Sequence, residues 1–414
     1  MGIGIVGGGI AALHLALALQ KEQIDAVVYT ARGHGDLPDG PLLNTVVHHN
    51  PTIARDEFLG TDRWPADRYG YRRHFHRIGG SAPVEFTGVF RRPSSAVDHR
   101  LYLPALAETF LDRGGQIRTA AVGARDLSRL ASQHELVVIA SGRGPLSGLF
   151  DRRASLSPIH APQRRICAGL YTGIDRRIED GVGISLAPDV GELLEIPIIT
   201  RHGRVTALLF ENLPGAEAAA LSDIRPTEDG GCRFARAVLD LLRDQHPMTF
   251  ERVDESDFGL TDPRDLLQGG VIPAFREDYF EIEDGVFALA LGDAHVVVDP
   301  IMGLGANIAA YSAGVVADCI IDSGGIFDEL FCDQVARARA EVLIGASQWT
   351  NLMLQQHPRV SDVMRAAARK PMLANVFTDN FDHPERQWRI LATDRRAERF
   401  IAAGPEPEPA PPAT

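Results

Sequence analysis

Cysteine is scarce in this chain of 414 residues: Cys167, Cys232, Cys319 and Cys332 lie far apart, and no CxxC or Cys/His set joins them. Structural disulfides and a thiolate metal site are therefore not expected, and a reduced, cytoplasmic protein without a bound metal is. Cys319 and Cys332 read as packing thiols of helices rather than half of a metal site. Lysine is rarer still, confined to Lys21 and Lys370, so almost all positive charge is arginine. With a net charge of −13 and no basic cluster interleaved with aromatics, the chain lacks what phosphate-backbone recognition requires, which excludes nucleic acid as a partner. No apolar run reaches the roughly 18 residues of a membrane span. The N-terminus opens directly on a strand without a basic, cleavable leader, so neither membrane insertion nor export is expected. No internal repeat is visible.

What the chain does have begins at once. Gly7-Gly8-Gly9-Ile10-Ala11-Ala12 follows Gly2-Ile3-Gly4-Ile5-Val6 and precedes the apolar run Leu13-His14-Leu15-Ala16-Leu17-Ala18-Leu19. Strand, glycine turn and helix in that order make a dinucleotide cradle: Gly7 permits the turn, Gly9 lets backbone approach a pyrophosphate, and Ala12 allows close helix–strand packing. A GxGxxA pattern alone is also compatible with a turn that binds nothing, but Ala26-Val27-Val28-Tyr29 supplies the returning strand. That strand ends in Thr30-Ala31-Arg32, where an acidic residue for the ribose of NAD is usual, and this departure weighs against ordinary NAD binding. A second phosphate-facing turn comes much later, in Gly292-Asp293 and Asp299-Pro300-Ile301-Met302-Gly303-Leu304-Gly305-Ala306-Asn307, ahead of a helix over 308–321. Asp293 can accept a hydrogen bond from a ribityl hydroxyl. Two distant half-sites fit FAD better than NAD. Glu135–Gly142, an apolar strand ending in glycine, offers one more close backbone approach at Gly142.

From Gly4 to about Trp388 the chain resembles the FAD-dependent styrene monooxygenases, the oxygenase components of two-component epoxidases. The stretches that carry the resemblance are Leu42-Leu43-Asn44-Thr45-Val46, Gln268–Arg276, Gly292-Asp293, Asp299-Pro300, Gly303–Asn307, Phe377–Phe381 and Pro384–Trp388. The resemblance implies an α/β fold of the p-hydroxybenzoate hydroxylase class: a Rossmann-type FAD-binding domain (1–42, 94–155 and 283–325), an interleaved β-sheet substrate domain (43–93 and 156–282), and C-terminal helices over 326–403. Within it, periodicity places a helix over 96–113, a strand over 116–122, strands over 193–199 and 205–210, and a helix over 232–244. The proline-rich 404–414 reads as a disordered tail.

The chemistry implied is transfer of one oxygen atom from O2, through a flavin C4a-hydroperoxide, to the vinyl group of a small aromatic alkene such as styrene. Such a reaction needs no substrate deprotonation, so an apolar pocket with few polar groups is expected. Carried over from the family, Asn44 and Pro300 stand beside the flavin ring, where spacing alone reads a turn asparagine and a turn proline. In the family, Asn44, Val46, His48, Tyr71, His74 and Ser94 form the set that separates styrene-type from indole-type members, and all six carry the styrene-type residue; taken individually, each histidine reads rather as a satisfied surface or core residue. Leu43, Leu209 and Met302 complete the expected substrate wall, Leu209 replacing a smaller valine and keeping indole, sulfides or larger vinyl arenes open as substrates. Arg100 is expected on the pyrophosphate and Val122 beside adenine, with Thr30, Arg32, Thr45, Gly303, Gly305, Ala306 and Asn307 as further cofactor contacts. Gly79-Gly80, Gly114-Gly115, Gly230-Gly231 and Gly269-Gly270 are isolated pairs, so no second nicotinamide motif is visible. The family takes reduced FAD from a separate NADH:flavin reductase, which is the expected partner; a homodimer is also open. A non-catalytic flavin-binding protein is the reading from a different class. The flavin-dependent halogenases are set aside, since Trp64-Pro65 does not match their tryptophan motif and neither lysine fits.

Overall fold

Parallel hydrogen bonding on both edges of the first strand organises half of the molecule. In the computed structural model, which describes residues 2–177, 180–226, 231–283 and 285–404, β1 (Gly2–Val6) lies between β2 (Ala26–Thr30) and a later strand His134–Ile139, both parallel to it. Between β1 and β2 runs α1 (Ile10–Lys21), apolar nearly all round and buried from Ile10 to Leu19, as a helix covered by other helices must be.

The chain then leaves this layer for β3 (Val47–His48), α2 (Asn50–Leu59), α3 (Ala66–Tyr69), β4 (Tyr71–Ile78) and β5 (Val84–Ala96). It returns with α4 (His99–Asp112), β6 (Gln116–Thr119), α5 (Leu127–Ala131) and β7 (His134–Ile139). β8 (Arg165–Thr172), β9 (Gly181–Ala187), β10 (Gly191–Thr200), β11 (Gly203–Asn212), α6 (Cys232–Gln245), α7 (Pro247–Phe250), β12 (Gly259–Leu260) and β13 (Leu266–Gly269) extend the second layer. β14 (Ala274–Phe275), β15 (Tyr279–Glu283), β16 (Val286–Ala290), β17 (Val296–Val297) and α8 (Gly305–Asp322) close the first. α9 (Glu329–Leu354), α10 (Pro358–Ala367), α11 (Pro371–Asp379), α12 (Pro384–Leu391) and α13 (Asp394–Ala403) complete the described chain.

Two sheets result. The six-stranded one has the order β15-β16-β7-β1-β2-β6, parallel except for the β15–β16 hairpin. The nine-stranded one has the order β12-β8-β11-β10-β9-β4-β5-β3, with β13 also on β8, and is antiparallel except at β4–β9. The 26-residue α9 spans roughly 39 Å at 1.5 Å per residue and joins their cores. Phe331, Cys332 and Val335 pack with α1 and α8 residues, whereas Leu343, Trp349 and Met353 pack under the nine-stranded sheet. Close approach of α11 to β5 depends on Gly88, where an added Cβ would lie 1.9 Å from Thr378 Oγ1.

Several boundaries depart from the sequence expectation for local reasons. The helix expected over 96–113 begins at His99, because the Asp98 carboxylate caps it by accepting from Arg100 N at 2.8 Å. The strand expected over 116–122 stops at Thr119; Ala120 N still donates to Thr30 O, and Val122 turns inward instead. The helix expected from 308 starts at Gly305. β15 lies within the segment assigned to the substrate domain yet hydrogen-bonds into the six-stranded sheet. α2 lies within 43–93 but its Leu59 packs in the α1/α8 core. The segment 405–414 of the expected tail lies outside the described residues, as does Gly230.

Candidate functional site

A cleft of about 640 Å³ opens between the two sheets, and the C-terminal ends of the parallel strands form its floor. At one end, Gly7 adopts φ +138 with its Cα so close to β7 that a Cβ would sit 2.1 Å from Ala140 O. Only glycine fits that position. Gly9 is the N-cap of α1, and an added Cβ there would meet nothing within 4 Å, leaving the first-turn N–H groups open to the cleft. Such a terminus favours anionic oxygens. Ala12 is fully buried behind this turn, where it packs, and does not face the cleft.

Thr30, Arg32, Val122 and Gly142 line the same end, with His34, Ser141 and Arg143, which sequence reasoning did not single out. His34 Nε2 bonds Gly8 O at 2.8 Å, and Ser141 Oγ is buried with no partner among the described residues. Arg143 follows Gly142 directly, a signal that the strand-end glycine could have carried one residue further.

Toward the middle, Asp293 leaves 44% of its side chain open to the cleft, yet the surrounding protein raises its carboxyl above the usual range, partly offset by Arg143 and Arg276. Arg143 Nε stands 3.8 Å away. The other end is apolar: Leu43, Val46, Val47, Ile166, Ala168, Leu209, Val298 and Pro300 wall it, with Asn44 and Thr45 as the polar groups. Asn44 Oδ1 already accepts from Thr45 N at 2.8 Å, while Thr45 Oγ1 is buried without a partner among the described residues. Pro300 opens a 3₁₀ turn capped by Asp299, and Gly303 closes it at φ +61, followed by Gly305 and Ala306 on the cleft wall.

Other expected site residues lie elsewhere. Arg100 is 1% exposed and turns its guanidinium onto Asp98 (Nη2–Oδ2 2.6 Å), Asp265 (Nη1–Oδ1 2.6 Å) and Gly40 O, so it is not brought to the glycine turn. Asn307 is not on the cleft wall either. Its Oδ1 accepts from His49 N and Thr52 Oγ1, and its Nδ2 donates to Val47 O and Gly303 O, all at 2.8–2.9 Å. The six-position set divides. Asn44 and Val46 line the cleft, whereas His48 does not and packs behind the wall on Tyr102 and on the far side of His99, with ring centroids 4.4 and 5.9 Å distant. Alternation explains this, since Val47 already faces the cleft from β3.

Tyr71, His74 and Ser94 lie a further layer back: His74 packs edge-on to Phe90 and Phe381, and Ser94 Oγ is 3.3 Å from His49 Nδ1. Met302 lines a small void with His76, Phe377 and Phe381 rather than the cleft. Burial lowers His48 to about 4 and cleft-lining His99 to about 3, and it holds His74 well below its ordinary value, so these imidazoles are neutral. Among the described residues no group of three or more His, Cys, Asp and Glu could hold a metal ion.

A second cavity of about 240 Å³, lined by Arg177, Arg204, Arg252 and Glu195 among others, includes none of the expected residues.

The residues present therefore fit FAD. The cradle that a Cβ would fill, the open helix terminus and the half-desolvated Asp293 match pyrophosphate and ribityl groups, and an apolar wall remains for a ring and a small substrate.

Comparison with known proteins follows the same lines. A family model for the substrate binding domain of styrene monooxygenase A matches residues 142–252. Styrene monooxygenase StyA of Pseudomonas fluorescens is 37% identical over 399 residues, covering 95% of this chain and 96% of that protein. Among solved structures, p-nitrophenol 4-monooxygenase PnpA from Pseudomonas putida DLL-E4 superposes with a TM-score of 0.63 at 13% identity, covering 92% of this chain and 98% of that one. The flavin-dependent brominase Bmp2 does so at 0.61 and 14%, covering 97% and 93%. At that identity the structures speak to fold alone.

Proposed function

The chain belongs to the styrene monooxygenase family, and from that premise we propose that it epoxidises styrene-type vinyl arenes to their oxides with one oxygen atom of O2. It is an FAD-dependent monooxygenase, and bound reduced FAD supplies the electrons that activate O2. The observation that carries the reading is the division of one cleft into an anion-binding end at Gly7–Gly9 and an apolar end at Leu43, Val46, Leu209 and Pro300.

Each part of the wall has a task. With FAD bound, the N-terminus of α1 would hold the pyrophosphate, Asp293 would accept a hydroxyl of the ribityl chain, and Val122 would flank the adenine. Asn44 would offer its amide N–H toward the apolar end while its carbonyl stays on Thr45 N. Leu43, Val46, Ile166, Ala168 and Leu209 hold an arene by shape and exclude water. The same wall supports styrene over indole. A buried indole N–H needs an acceptor, and leaving it unpaired costs about 1–3 kcal/mol; at this end the side-chain acceptors are the Asn44 carbonyl, which already takes Thr45 N, and the Thr45 hydroxyl, whereas styrene needs neither. The proposal includes a separate NADH:flavin reductase as electron source and, with all four cysteines free, a cytoplasmic location. A homodimer is a further part of it. Among the described residues no helix is long and apolar enough to cross a membrane.

The test is to supply enzymatically reduced FAD and chromatograph the products from styrene, indole and thioanisole. Styrene oxide as the dominant product is expected, with indole oxidised slowly to indigo. A clear preference for indole or the sulfide would shift the substrate, and no oxygenated product from any of the three would leave a flavin-binding protein.

A further inference from the structure

Behind Pro300 three carboxylates meet one guanidinium. Glu192 on β10 and Glu211 on β11 are register partners, and Asp299 precedes Pro300 on the cleft wall. Glu211 and Asp299 are 0% exposed, Glu192 4% and Arg164 1%. Arg164 is committed to Glu192, with Nε to Oε2 at 2.6 Å and Nη2 to Oε1 at 2.9 Å, while its Nη1 donates to the carbonyls of Gln163 and Leu354. The remaining facing group, Gln356, also bonds Glu192. Asp299 Oδ1 accepts from Ile301 N at 3.2 Å. Asp299 Oδ2 and both oxygens of Glu211 have no donor among the described residues, and these two buried carboxyl groups lie against each other.

Two ionised carboxylates offer acceptors and no donor, so such a contact exists only when a proton lies in it. We propose that Glu211 and Asp299 share one proton, and that this proton fastens the Asp299–Gly303 turn, which carries Pro300 into the cleft, to the nine-stranded sheet. The pair positions the wall; it does not touch the reacting atoms. Removing the proton would place two like charges in contact with a third carboxylate near, which drives the turn outward. The significance for a flavin site rests on the monooxygenase reading, but the pairing itself does not.

Glu211→Gln tests it, because the amide donates to Asp299 Oδ2 at every pH, while Glu211→Ala leaves that oxygen without a donor. Burial beside Asp299 raises Glu211 well above the ordinary glutamate range. Stabilisation by a raised pKa is complete below the unfolded value and is lost as pH rises through the folded one. The melting temperature of the wild type should therefore fall relative to Glu211→Gln as pH rises. Affinity for oxidised FAD, read by flavin fluorescence, should weaken at alkaline pH in the wild type and stay level in Glu211→Gln. Glu211→Ala should bind FAD about tenfold or more weakly at neutral pH, corresponding to one lost charged hydrogen bond. The infrared difference spectrum of wild type minus Glu211→Gln should show the band of one protonated carboxyl. Should Glu211→Gln not fold, Asp299→Asn makes the reciprocal comparison. Parallel pH profiles for wild type and the amide variant, or unchanged FAD affinity in Glu211→Ala, would overturn the proposal. None of these readouts uses styrene, so loss of the epoxidation reading and loss of the shared proton are separable.

Discussion

Arg100 shows what a single residue owes to partners far along the chain. Its place at the start of a helix beside the cofactor segment is legible in the sequence, and so is the suitability of a guanidinium for phosphate. Asp265, which takes the guanidinium instead, is invisible until β8 and the loop after β12 bring it in. Arg100→Ala should therefore destabilise the fold by about 3–5 kcal/mol, the cost of stranding buried carboxylates, in urea unfolding followed by circular dichroism. FAD affinity of the folded fraction should be nearly unchanged. Asp293→Ala should do the reverse, weakening FAD binding by about 1.5–3 kcal/mol in a fluorescence titration with little change in melting temperature. Leu209 sits on the apolar wall where sequence reasoning put it, and Leu209→Val should raise kcat/KM for para-substituted styrenes by an amount within about 1–3 kcal/mol. Glycines at a tight turn were legible because their constraint is local. The split of the six-position set was not, because which side of β3 faces the cleft depends on the packing of both layers.

At the scale of elements, the strands and helices that apolar periodicity placed are present, and the boundaries that moved did so at caps and turns. Asn307 ties the first turn of α8 to the segment leading into α2, a role that no local pattern announces because it is made of backbone partners in two other segments. Asn307→Ala would leave several of those groups without partners, at about 1–3 kcal/mol each. Faster amide exchange over residues 47–52 together with a lower melting temperature is expected, and unchanged exchange there would deny the clamp. Asp382, which accepts from Asn50 N at 3.1 Å, ties the start of α2 to the loop between α11 and α12. Burial raises its carboxyl to about 7. Because that exceeds an unfolded aspartate near 3.9, its contribution is present at acid pH and is lost as pH climbs through about 7. Asp382→Asn should gain stability relative to the wild type across that window, and equal slopes would return the carboxyl to an ordinary value.

For the whole molecule, the glycine turns announced the cofactor layer and the family resemblance implied the second, while the exact interleaving was not legible, since β15 and α2 cross between layers within segments that read as uniform. No nicotinamide motif accompanies the flavin cleft. Mixed with FAD, NADH and styrene, the purified chain should oxidise NADH negligibly, and adding a generic flavin reductase should start epoxide formation. Rapid NADH consumption coupled to epoxide in the isolated chain would refute the division of labour.

The cleft draws its walls from segments spread over residues 6–11, 29–37, 43–47, 99–103, 120–122, 140–143, 166–168, 209, 267–271 and 292–309, and α9 then braces both cores behind them. On a ribosome, therefore, the cleft is complete only once residue 309 of 414 has emerged, and α9 docks behind it only after residue 354. The cofactor cannot template this protein's birth. It has to be born as a finished, empty vessel, and in refolding from urea, recovery of tryptophan burial at Trp349 should precede recovery of flavin binding. A protein that matures empty is well suited to receive its flavin already charged, turn after turn, from another enzyme.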